Sequence, residues 1–91
     1  MILASISVEA LIYNSQSLKD KRSITKSAST RIKQRLNVSI AEINHQDVWQ
    51  RVEWAIVTVG TETKQVEKEL HRAISILETY QDLEITRITW E

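Results

Sequence analysis

The stretch from Ile2 to Tyr13 alternates strictly, with Ile2, Ala4, Ile6, Val8, Ala10 and Ile12 at every second position. A period of two is the repeat of a β-strand, whose successive side chains point to opposite faces of a sheet. The other side of this strand, Leu3, Ser5, Ser7, Glu9, Leu11 and Tyr13, is mixed. Only one face therefore demands a cover, and whatever follows in the chain has to supply it.

The period then changes. Asn14-Ser15-Gln16-Ser17 is turn chemistry, with Ser17 placed to cap a helix and Asp20 in its first turn, where the helix dipole favours a negative charge. Leu18, Ile24, Ala28, Ile32 and Leu36 form a drifting apolar stripe, mostly at intervals of four, which predicts a helix over Leu18 to Leu36 closed by a left-handed Asn37. Val38 to Ile43 reads as a second strand, Asn44 to Asp47 as a hairpin connection, and Trp49 to Val59 as a third strand. Gly60, the only glycine, is expected to supply a backbone conformation that a side chain would strain, ahead of a helix capped by Thr61 or Thr63. Val66, Leu70, Ala73, Ile74 and Leu77 are the apolar stripe of that helix. After a turn at Tyr80-Gln81-Asp82 comes a last strand, Leu83 to Trp90, with Leu83 and Ile85 expected on one face and Ile88 and Trp90 on the other.

The order βαββαβ makes two halves in which a helix joins parallel strands by right-handed crossovers. The compact solution is an α+β ferredoxin-like sandwich, a four-stranded antiparallel sheet with both helices on one face. A chain of 91 residues without a linker or low-complexity segment suits one such domain over residues 1–91. The absence of cysteine excludes disulfides, iron–sulfur clusters and a thiol nucleophile. No apolar run approaches the roughly 20 residues of a membrane span. Ser5, Ser7 and Glu9 interrupt the first apolar segment, which lacks the basic start of a secretory signal. A cytoplasmic protein that does not engage a membrane is the expectation.

Two stretches, Ser17 to Arg22 (SLKDKR) and Asn37 to Arg51 (NVSIAEINHQDVWQR), resemble the small bacterial YlxP-like family, and the resemblance extends over nearly the whole chain as far as Trp90. It implies a ferredoxin-like fold with no assigned activity. It also implies a link to the ribosome, because members are encoded beside translation and ribosome-maturation factors in some bacteria. Two places depart from the family pattern. The first loop, Tyr13-Asn14-Ser15-Gln16, stands where relatives commonly carry Pro and Gly, and Asn44 stands where they commonly have Asp, which removes a carboxylate beside His45.

The zero net charge conceals a strong segregation. From Ser17 to Leu36 there are seven basic residues (Lys19, Lys21, Arg22, Lys26, Arg31, Lys33, Arg35) and one acid, Asp20, a local charge of +6 balanced by −6 elsewhere. At about 100° per residue, Lys19, Arg22, Lys26 and Lys33 fall within a roughly 60° sector of the helix, away from its apolar stripe. Such a ridge, with Ser23, Ser27, Ser29 and Thr30 nearby, suits a phosphate backbone, which needs charge neutralisation and hydrogen bonds more than base reading. The same pattern also fits an ordinary solvated face.

A base-stacking RNA-recognition motif is disfavoured, since the chain has no Phe and lacks that motif's glycine–aromatic signature. Trp54 is expected on the helix-free side of the sheet with Leu3, Leu11 or Ile56, as part of a surface for a second copy or another protein, with His45, Trp49 and Arg51 of the hairpin as further contacts. His45 and Asp47 alone do not make a metal site, because catalytic zinc usually takes three protein ligands and His71 belongs to the other helix. Glu42 and Arg51 are expected to pair across the hairpin. A glycine-rich phosphate loop of the acylphosphatase kind cannot be built around the single Gly60. The expectation is thus a non-enzymatic module without cofactor, metal or small-molecule substrate. Its basic first helix would contact structured, plausibly ribosomal RNA through Lys19, Arg22, Lys26 and Lys33. The alternative is a homodimeric or heteromeric interaction domain that uses the open sheet face and residues 44–51.

Overall fold

The computed structural model describes residues 1–91. The alternating segment forms β1 (Ile2–Ile12), and the cap at Ser17 opens α1 (Leu18–Arg35). The chain continues through β2 (Val38–Asn44), β3 (Arg51–Gly60), α2 (Thr63–Glu78) and β4 (Leu83–Trp90). The strands form one antiparallel sheet in the order β2-β3-β1-β4, with both helices packed on the same side, the ferredoxin-like α+β arrangement. No helix is long and apolar enough to cross a membrane.

The even positions of β1 face the helices, and Ile6, Val8, Ala10 and Ile12 are buried there. They meet Leu70, Ala73, Ile74 and Leu77 of α2, together with Ala28 and Ile32 of α1, while Val66, also buried, completes the α2 stripe beside Gly60. The start of α1 is closed reciprocally. Ser17 Oγ accepts from the Asp20 amide at 3.1 Å, which satisfies one donor that a helix start leaves free, and Asp20 Oδ2 accepts from the Gln16 amide at 3.1 Å, which ties down the residue ahead of the cap.

Register overturns the expected place of Trp54. It lies directly opposite Val8, on the core side of the sheet, and is 1% exposed. The same parity puts Ile56 opposite Ile6 in the core, whereas Leu3 pairs with Val59 on the open face. The face of β3 turns on whether Trp54 or its neighbours take the inward phase, and a shift of one residue exchanges the two sets.

β4 differs from its expected pattern for another reason. A bulge between Ile85 and Arg87 breaks the alternation, because Glu9 pairs with Arg87 while the next residue, Ala10, pairs with Ile85. One extra residue, Thr86, resets the phase, so that Leu83, Ile85, Ile88 and Trp90 all lie opposite core-facing positions of β1. At the far end the Trp90 ring meets the His71 ring of α2, with centroids 5.0 Å apart.

Three local expectations are also corrected. Asn37 is not left-handed, since α1 ends in an extended Leu36, and the only residues at positive φ are Asn14 and His45. Gly60 has no positive φ; a Cβ there would sit 2.8 Å from Val66 Cγ1 and 3.0 Å from Gln65 Oε1, so close approach of α2 explains it. The cap position of α2 is Glu62, without a side-chain bond, rather than Thr61 or Thr63.

Candidate nucleic-acid interface

α1 buries Lys21 and Thr25 in line with the expected Ala28 and Ile32, with Ile24 and Leu36 only half-buried. That line sets the direction of the basic ridge. On a helix with about 100° per residue, the sector of Lys19, Arg22, Lys26 and Lys33 lies roughly 120° from this buried line, so the ridge leans sideways and not straight out to solvent. It leans toward the edge strand β2. Arg22, Lys26 and Lys33 line a groove of about 390 Å³ between α1 and β2, joined by Thr25 and Ser29 and floored by Ile40 and Trp54. Lys26 also borders a shallower furrow over the top of α1 with Ser23, Ser27, Thr30 and Arg31. Lys19 is exposed in the first turn and lies outside both.

All four of these cations are exposed, and none makes an ion pair. The one carboxylate beside the groove is Glu42, and it is already occupied. Lys21, 1% exposed, places its ammonium 2.8 Å from Glu42 Oε2, a buried oxygen with no other partner. The same ammonium donates to the carbonyl of His45. Lys21 is thus the one basic residue of the helix withdrawn from the surface, where it ties α1 to the end of β2.

His45, the first residue after β2, is left-handed at φ 65°, and its amide is held by Asn44 Oδ1 at 3.0 Å. With its carbonyl drawn toward Lys21, its ring swings to the opposite side of the sheet. There Nε2 lies 3.1 Å from Glu9 Oε1, which also accepts from Arg51 Nη2 at 2.8 Å. The His45 hydrogen bond, aided by the charge of Arg51, holds the Glu9 carboxyl below the usual carboxylate range. Glu53 stands directly opposite Glu9 in register and accepts from Asn44 Nδ2 at 3.3 Å. The expected Glu42–Arg51 pair is therefore absent, each residue having a different partner.

Of the expected partner-binding residues, His45 and Arg51 come together around Glu9, and Trp49 lies 45% exposed in the connector between β2 and β3. Trp54 is sequestered beneath the sheet, as described above. Asp47 is exposed and stands outside the cluster of His45 with Glu9 and Glu53. Sequence reasoning missed Lys21, Glu9 and Glu53. For Lys21 a signal existed, since it continues the spacing of Thr25, Ala28 and Ile32. The meeting of Glu9 and Glu53 depends on register, which spacing within one strand does not reveal.

Two comparisons bear on kinship. Residues 3–90 match the model of a family described as "Protein of unknown function (DUF503)". The chain is also 42% identical over 84 residues to a Bacillus subtilis (strain 168) protein described as "Uncharacterized protein YlxP", an overlap of 90% of this chain and 91% of that one. With the βαββαβ sandwich and a match that runs almost from end to end, the chain belongs to the DUF503 family and is similar in sequence to YlxP.

Proposed function

We propose that the protein is a binding module, without chemistry of its own, whose first helix grips the phosphate backbone of a structured RNA in the cytoplasm, ribosomal RNA being the first candidate. One observation carries this reading: Arg22, Lys26 and Lys33 share a groove with the hydroxyls of Thr25 and Ser29, and no carboxylate of the chain neutralises them. Unpaired cations in a row match the charge neutralisation that a phosphate backbone needs. The exposed aromatics, Tyr13, Trp49 and Trp90, lie away from the groove, so stacking on unpaired bases is not part of the reading. Binding through three or four phosphates predicts that affinity for a folded RNA falls about 40- to 150-fold between 50 and 200 mM salt. Changing Arg22, Lys26 and Lys33 together to Glu is expected to abolish binding and leave the circular dichroism spectrum intact. Unaltered RNA retention by that triple variant defeats the reading.

A second reading rests on the uncovered sheet face, where Leu3, Val57 and Val59 are 64%, 37% and 44% exposed and adjoin one another in register. Contiguous exposed apolar side chains suit a second copy of the chain or another protein. Because Trp54 belongs to the core, the informative change is Val57→Glu. Light scattering that finds a monomer before and after this change removes the second copy as its occupant.

A further inference from the structure

The charged end of the open sheet face holds a second constellation, independent of the basic helix. Glu9 on β1 and Glu53 on β3 are direct cross-strand partners, an arrangement in which like charges repel unless a cation intervenes. His45 reaches over them from the end of β2. One ligand atom from each of the three, the imidazole nitrogen and two carboxylate oxygens, lies within 4.8 Å of the others, and all three residues are half-buried.

We propose that Glu9, His45 and Glu53 form a site for a divalent transition-metal ion of the Zn²⁺ type. Zinc binds imidazole nitrogen and carboxylate oxygen at about 2.0–2.2 Å, which sets tetrahedral ligand atoms roughly 3.4 Å apart. Side-chain rotations of about an ångström close the present spacing to that value, with no movement of the strands. A set of one imidazole and two carboxylates favours zinc and its first-row neighbours over Ca²⁺ and Mg²⁺, which prefer all-oxygen ligands, and over Cu(I), which prefers thiolates. Three protein ligands leave a fourth position for water or an incoming group.

The groups around the three ligands are those a metal site requires. Metal-bound carboxylates are normally oriented by outer hydrogen bonds. Arg51 Nη2 holds Glu9 Oε1 at 2.8 Å, and Asn44 Nδ2 holds Glu53 Oε1 at 3.3 Å. His45 is fixed from behind by the buried Lys21, whose ammonium takes its carbonyl on the helix side of the sheet. Arg51 has a double role, since its guanidinium also competes for Glu9. Its side chain is 51% exposed and free to move into solvent when an ion enters.

The test is calorimetric titration of the full chain with ZnCl₂ in a non-chelating buffer, with Co²⁺ as a spectroscopic probe. The native protein is expected to bind one equivalent and to give the visible absorption of Co²⁺ held by nitrogen and oxygen in a low-coordinate site. Glu53→Gln and His45→Ala should each weaken binding at least 10-fold. His71→Ala should leave it unchanged. Circular dichroism checks each variant for folding, and Glu53→Gln, on the open face, carries the test if His45→Ala does not fold. Native affinity no tighter than that of Glu53→Gln overturns the site, as does binding that disappears with His71→Ala.

Discussion

Lys21 is the one charged side chain buried in the molecule. Its ammonium is buried, and its partners are the Glu42 carboxylate and the His45 carbonyl. Removing one member of a buried pair leaves the other charged and unpaired, which costs far more than the pair contributes net. Glu42 is 25% exposed and retains some hydration, so Lys21→Met is expected to cost about 2–4 kcal/mol in urea unfolding, below the upper range for fully buried pairs. Adding Glu42→Leu should recover part of that loss, because the stranded charge is then gone. A single-variant cost under about 1 kcal/mol shows that the clamp does not hold. The residue also marks where sequence reading fails. Lysine by type belongs outside, so residue type masks the burial of Lys21, although Ala28 and Ile32 of the apolar stripe already gave the helical phase to within about 10°. The identities of the ridge cations were legible, but their lean toward β2 was not.

At the scale of elements, order and type follow from periodicity alone, and the misplacements cluster where one residue changes phase. The Thr86 bulge joins two apolar pairs of β4 that strict alternation separates. The inward phase of β3 is set by pairing Val8 with Trp54, a contact between strands that no spacing within either strand encodes. Gly60 shows a third kind of failure, since a lone glycine at a strand end suggests backbone conformation while the actual cause is the approach of α2. That distinction is testable. With an ordinary φ, Gly60→Ala pays no backbone strain, and its cost comes from displacing Val66, which is fully buried and has little room to give. Overpacking of this kind costs roughly 1–3 kcal/mol. Trimming the neighbour with Val66→Ala should make the cost of Gly60→Ala shrink or vanish, a coupling read from a double-mutant cycle. Strictly additive effects return the explanation to the backbone.

For the whole molecule the decisive property is that its charges are sorted more than balanced. The segment from Ser17 to Leu36 carries +6 and the rest −6, yet the fold does not bring the two into contact at the ridge. Lys19, Arg22 and Lys26 follow one another at helical intervals of three and four, where like charges cost about 0.2–0.5 kcal/mol per pair. The unliganded fold therefore bears a repulsion on the order of 1 kcal/mol that a polyanion would relieve, so the feature that fits the helix to phosphate also weakens the isolated protein. Salt substitutes for the polyanion, since the screening length falls from about 10 Å at 0.1 M to about 3 Å at 1 M. In a domain of this size 1 kcal/mol corresponds to roughly 4–8 °C of melting temperature. The variant with Arg22, Lys26 and Lys33 all changed to Gln should accordingly melt a few degrees above the native chain in 20 mM NaCl, and the gap should close as NaCl rises to 0.5 M. Salt also strengthens apolar burial, but equally in both proteins, so the difference between them isolates the ridge. A gap that is absent at low salt, or that does not close, means these cations carry no unmet charge, and a helix without unmet charge has no electrostatic reason to hold a nucleic acid.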